Sequence, residues 1–279
     1  MLCLTVPMAP DEREDDVKAL TASVGSPHVI YFAVDEDYDE TWPERYGHIV
    51  RIRGFGVGRA LDAATLAALR DGCDVVVRTD AHVEFKPALR PSPDALEMGY
   101  MCTSDGACFG ASYPDPIDYE FRWTWRSAYV PQTAEAVISW PRALAETLIK
   151  RFGCLYCTEY WGAENYNATL TPCRLGLGCI RTGSFYAIHK YKKEWPKKRV
   201  GERAVFSREP WYRELSGENP YFTAISISYA IHIARHYRNP YMVKRLDPRA
   251  LALALKYFPE RARYIEGKDV FELYREMGL

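Results

Sequence analysis

The stretch CDVVVRTDAHVEF, Cys73 to Phe85, decides how this 279-residue chain is read. Its first half is an unbroken apolar run ending in a charged tail. Valines in succession, without polar alternation, are what a strand covered on both faces requires. Cys73 to Val77 is therefore read as an interior strand. Just upstream, Val57 to Arg70 carries Leu61, Ala64, Leu66, Ala68 and Leu69 as the apolar side of a helix, with Gly72 in the stop position. Further upstream, Leu2 to Val6, His28 to Val34 and His48 to Ile52 read as strands. Asp11 to Val24 reads as a helix closed by Gly25. Strands alternating with helices predict an α/β fold with a mainly parallel sheet flanked by helices.

Downstream the pattern weakens. Phe109 to Thr133 is rich in Pro and aromatic residues without a clear period and reads as a long loop region. Pro141 to Phe152 reads as a helix with Pro at an early position. The last stretch, about Phe206 to Leu279, reads as largely helical, best in Tyr221 to Tyr237 and Pro248 to Tyr257. The division expected is a sheet domain over residues 1–204 and a helical C-terminal extension over 205–279.

Composition narrows the function classes. Hydrophobic residues make up 48% of the chain, enough to offset ordering entropy, so disorder is excluded as the main state. The net charge of −1 does not imply wholesale binding to nucleic acid. Charge is nevertheless uneven. Residues 1–45 hold eleven acids against Arg13, Lys18 and Arg45, whereas residues 181–203 hold eight bases against Glu194 and Glu202. No apolar run reaches about 18 residues, so no transmembrane segment is expected. The apolar start MLCLTVPMAP lacks a basic leader and runs into DEREDD, which reads as a strand and loop rather than a signal peptide. The eight cysteines, at 3, 73, 102, 108, 154, 157, 173 and 179, are read as reduced thiols in a cytoplasmic protein.

Four places carry residues able to do chemistry. Asp80 and His82, two apart in an extended backbone, would point the same way and could clamp a divalent metal at the carboxyl end of a parallel strand. The plain alternative is a turn-capping Asp beside a packed His. In EYWGAENYN, Glu159 to Asn167, Gly162 would let Trp161 approach closely, and Glu164 and Asn165 would offer an acceptor and an amide to one space. Alternatively Trp161 is core and Glu164 caps the next helix. His189 ends an apolar segment, Phe185 to Ile188, and opens a basic run; a third ligand followed by cations suits a metal-bound diphosphate. Otherwise it is a surface histidine. Arg59, in RGFGVGRAL, could meet a phosphate at a helix start or simply be solvated. Cys154 and Cys157 form a single CxxC, read as ordinary thiols. The chain lacks GxSxG, a P-loop and HExxH, which removes the commonest hydrolase, NTPase and zincin readings.

Taken together, Asp80-Ala81-His82, Trp161-Gly162-Ala163-Glu164-Asn165 and His189 resemble a glycosyltransferase of the GT-A fold, within the family-2-like group and closest to the polypeptide N-acetylgalactosaminyltransferases. Those enzymes carry D-x-H, then W-G-G-E-N, then a further His, in this order. The resemblance implies a nucleotide-sugar donor, a UDP-sugar, with Mn²⁺ (or Mg²⁺) held by Asp80, His82 and His189. Pro7, Asp35, Arg59, Thr79 and Asp80 would stand at the donor nucleotide. Trp161, Glu164 and Asn165 would serve catalysis. Inverting relatives have a carboxylate where Asn165 stands, and an amide cannot act as a base, so retention of anomeric configuration is implied. Glu164 stays as an alternative base. Ala163 departs from the family's Gly, and neither a secretory anchor nor a lectin domain is expected. The acceptor could be a protein hydroxyl, a glycan, a lipid-linked sugar or a hydroxylated nucleobase. The competing readings are a sugar-phosphate nucleotidyltransferase, which would need a Gly-rich first loop where VPMAPDERED stands, and a non-catalytic sugar-nucleotide-binding module.

Overall fold

The computed structural model describes residues 1–9, 11–53, 57–110, 112–114, 121–123, 129–130, 136–156 and 164–190. Strand β1 (Leu2–Pro7) is central: Cys3 to Val6 are fully buried, and the strand pairs in parallel with two neighbours. One is β2 (His28–Asp35), which in turn pairs in parallel with β3 (His48–Ile52). The other is β4 (Val75–Arg78), the apolar run singled out above, buried at all four positions. Helices α1 (Glu14–Val24) and α2 (Val57–Arg70) provide the connections, and Gly25 closes α1 in the left-handed conformation. The expected mainly parallel sheet with flanking helices is therefore present.

Alternate residues of each strand feed two separate cores, as the period-two geometry of a strand demands. Cys3, Tyr31, Ala33, Val76 and Trp140 pack with Leu61, Ala64 and Ala68 of α2 and Leu148 of α3 (Arg142–Phe152). Leu4, Val6, Ile30, Phe32, Val34 and Val77 pack with Val17, Leu20 and Val24 of α1. Each fully buried Leu, Val or Ile contributes about 1.5–3 kcal/mol.

Beyond β4 come β5 (Val83–Phe85), β6 (Glu97–Cys102), β7 (Cys108–Phe109), β8 (Ser112–Pro114), β9 (Phe121–Trp123), β10 (Tyr129–Val130), β11 (Ile138–Pro141) and β12 (Ile180–His189), of which all but β8 and β9 build the other half of the sheet. The order is β10-β12-β6-β11-β4-β1-β2-β3. Strand β11 runs antiparallel to both β4 and β6, while β12 is parallel to β6. The strands β4, β6 and β12 thus point the same way, and their carboxyl ends share one edge with those of β1 and β2. Two glycines permit close contacts in this half. A Cβ on Gly99 would lie 2.3 Å from the Phe185 ring, and Gly183, at φ 78°, sits where the β12–β6 register shifts. Glu97, fully buried, is answered by Arg181 and by the Ser92 amide at 2.7 Å.

Several expectations need correction. Residues 109–133 are not simply loop, since β8 and β9 form a small antiparallel pair and β10 joins the main sheet. Their brevity hid them. Pro141 ends β11 in an extended conformation (φ −60°, ψ 138°), and the helix begins at Arg142. The cysteines are not reduced thiols: Cys3–Cys73, Cys102–Cys108 and Cys173–Cys179 are disulfides. Distance in sequence concealed the first pair, because β1 and the turn after α2 are neighbours only in the folded sheet. The basic run past Lys190 and the helical extension over 205–279 lie outside the described residues. Among the described residues, no helix is long and apolar enough to cross a membrane.

Candidate active site

The carboxyl edge of the sheet collects the predicted residues. Strand β4 stops at Arg78, and the Thr79 amide still donates to the Thr5 carbonyl at 3.1 Å, which fixes where the chain leaves the sheet. Asp80 follows at once. Ala81 and His82 then form a turn, so Asp80 and His82 do not share an extended backbone as expected. A tight reversal brings them together instead. Strand β5, starting at Val83, pairs antiparallel with the end of β12, with Val83 opposite His189. The Lys190 amide closes this corner by donating to the His82 carbonyl at 3.1 Å.

The result is a convergence of Asp80, His82 and His189, with one candidate ligand atom from each and all of these atoms within 4.8 Å of one another. His189 Nε2 lies 3.2 Å from Asp80 Oδ2, and the two imidazole rings stand edge to face with centroids 4.7 Å apart. Asp80 also meets the buried Arg78 guanidinium, Nη1 to Oδ1 at 3.1 Å. Burial pushes the Asp80 carboxyl upward, but Arg78 and the two imidazoles prevail and hold it well below the usual carboxylate range. Burial pushes the His189 imidazole below its ordinary value, against the opposing pull of Asp80. One carboxylate and two imidazoles form a donor set that fits a borderline cation such as Mn²⁺ better than the oxygen-seeking Mg²⁺.

The remaining predicted residues fall as follows. Pro7 ends β1 and Asp35 ends β2 at this same edge; Thr79 is buried beside Asp80. Arg59 lies exposed in the first turn of α2. Asn165 is buried in α4 (Glu164–Arg174), where its carbonyl accepts from the Thr169 hydroxyl at 2.6 Å. Glu164 is the first residue of that helix, and Trp161 lies outside the described residues. Lys190 does not point to an open cation site: it is held by Glu84 at 2.7 Å and Asp16 at 3.2 Å.

Two residues escaped the sequence reading. Arg78 had a signal, a cation terminating an apolar strand whose burial would demand a partner. Glu12 had none, being one acid among five in DEREDD; its Oε2 lies 3.1 Å from His82 Nδ1, and its side chain is only 6% exposed.

A parallel sheet of this order, joined through one antiparallel strand to a second half and carrying its polar residues at the carboxyl edge, is the GT-A fold of glycosyltransferases. Solved structures bear this out. The chain is similar to GalNAc-T7, solved with UDP, GalNAc and Mn²⁺, at a TM-score of 0.56 and 12% identity, covering 99% of this chain and 56% of that one. It is similar to residues 1–349 of TarS from S. aureus, in complex with UDP-GlcNAc, at a TM-score of 0.51 and 13% identity, covering 95% of this chain and 81% of that one. The chain thus spans little more than half the length of the GalNAc-T7 chain. No protein-family model matches it, and no curated protein matches it in sequence.

Proposed function

We propose that this chain is a metal-dependent glycosyltransferase that moves a sugar from a UDP-sugar to a hydroxyl acceptor with retention of anomeric configuration. The observation that carries the reading is the convergence of Asp80, His82 and His189 at the carboxyl edge of a GT-A sheet. These three would hold Mn²⁺. When bound, such an ion supplies positive charge beside a departing diphosphate, the kind of electrostatic stabilisation that usually contributes most to such reactions.

The other roles belong to the chain's own side chains. Pro7, Asp35 and Thr79 would line the nucleotide, and Arg59 would meet phosphate at the start of α2. Glu164, Asn165 and Trp161 would face the reacting sugar. Retention rests on Asn165, since an amide at this place cannot deprotonate an acceptor. Kinship with the polypeptide N-acetylgalactosaminyltransferases rests on D-A-H, W-G-A-E-N and His189 in the expected order. Residues 1–204 would form the catalytic domain and 205–279 its helical extension. The acceptor is a protein hydroxyl, a glycan, a lipid-linked sugar or a hydroxylated nucleobase. The disulfides Cys3–Cys73, Cys102–Cys108 and Cys173–Cys179 suit an oxidising compartment better than the cytoplasm expected from the sequence.

Donor hydrolysis across a panel of nucleotide-sugars, with and without Mn²⁺, tests the reading. Free UDP released only with Mn²⁺ is the expected result. UDP binding without release would indicate a non-catalytic module, and release of inorganic pyrophosphate from UTP and a sugar phosphate would indicate a nucleotidyltransferase. NMR of the product reads the anomer; a β-linked product from an α-linked donor overturns retention. Glu164→Gln is expected to keep Mn²⁺-dependent UDP binding while lowering turnover about 10²-fold, the scale of a lost acid–base group. Parallel calorimetry and steady-state rates check this.

A further inference from the structure

Glu12 contributes a carboxylate to the corner where the metal-ligand candidates meet, although it lies some seventy residues from His82 in sequence. Its side chain is almost completely buried, and a buried carboxylate is costly unless a donor answers it. The donor is His82: Glu12 Oε2 stands 3.1 Å from Nδ1. An imidazole that donates from Nδ1 carries its lone pair on Nε2, so a carboxylate at this place selects one tautomer and one ring orientation. The same N-terminal segment reaches the other side of the corner, where Asp16 holds Lys190, the residue directly after His189. Lys190 in turn bonds the His82 carbonyl through its amide and Glu84 of β5 through its side chain. One short acidic segment, 12–16, therefore braces the turn that carries His82 and the end of the strand that carries His189.

We infer that Glu12 is a positioning residue that fixes His82 with its Nε2 lone pair available to a divalent cation. This rests on the metal reading above and adds a residue to it.

The test uses the full chain and Mn²⁺ alone. Long-range ¹H–¹⁵N spectra of the metal-free protein are expected to show His82 protonated on Nδ1. Glu12→Ala is expected to lose that signature and to weaken Mn²⁺ binding, measured by calorimetry, about 10–100-fold. Glu12→Gln, which keeps an acceptor oxygen, is expected to restore the tautomer and most of the affinity; a purely structural need for a charge at position 12 would not be met by Gln. A wild-type His82 protonated on Nε2 overturns the inference whether or not Glu12→Ala folds. Mn²⁺ uptake unchanged by Glu12→Ala overturns it while leaving the metal reading standing. No Mn²⁺ uptake by the wild-type chain overturns both.

Discussion

Asp80→Asn is expected to abolish Mn²⁺-dependent UDP binding and to lower turnover at least about 10²–10³-fold, the range seen when one stabilising group is removed from a developing charge. The carboxylate is the one anionic donor among the three converging side chains, and an amide oxygen carries no charge with which to offset a dication. Asparagine is preferred to alanine for a structural reason. Arg78 is buried and donates to Asp80 Oδ1, and alanine would remove that acceptor altogether. Asparagine keeps an acceptor for that guanidinium, so the variant should fold. Calorimetry with UDP, in the presence and absence of Mn²⁺, separates binding from stability. Retention of full Mn²⁺-dependent binding would remove Asp80 from the site.

Trp140→Ala is expected to destabilise the fold by about 3–5 kcal/mol, the cost of deleting a large aromatic from a core. Trp140 is fully buried on β11, among the largest such side chains, and meets the Tyr156 ring edge to face at 6.3 Å. It lies in the strand that joins β4 to β6 and packs against α2 and α3, so the cavity would open in the core between the sheet and these helices. Chemical unfolding under non-reducing conditions measures the loss. Trp140→Phe should recover much of it, because a ring still fills the space. An unchanged midpoint for Trp140→Ala would mean that β11 is not the join described.

The sequence was informative where one element could be read by itself. The helix over Val57–Arg70 and the strand over His48–Ile52 have the very bounds read from periodicity, because alanine-rich spacing and a following Gly72 are local signals. Strands β5, β6 and β11 were not legible. They are three to six residues long, and Gly99 and Pro141 sit inside two of them, so what makes them strands is pairing with distant partners. The site divides in the same way. Asp80 and His82 were visible as a motif and His189 as a strand end. Their orientation was not, since a turn rather than an extended backbone aims the first two. Glu12 was invisible because nothing local distinguishes it from its acidic neighbours, and only the return of the chain to β5 brings His82 to it. The cysteine pairs were hidden for a related reason: a disulfide between residues 3 and 73 records spatial adjacency, not spacing.

The separation of 109 residues between Asp80 and His189 has a consequence for biogenesis. The sheet edge built from β1, β2 and β4 is encoded within the first eighty residues. The corner where Asp80, His82 and His189 meet is not, because β5 needs the end of β12 as its mate. A nascent polypeptide halted short of residue 189 would present Asp80 and His82 without the histidine that meets them. Any chemistry that needs the three side chains together therefore waits for strand β12.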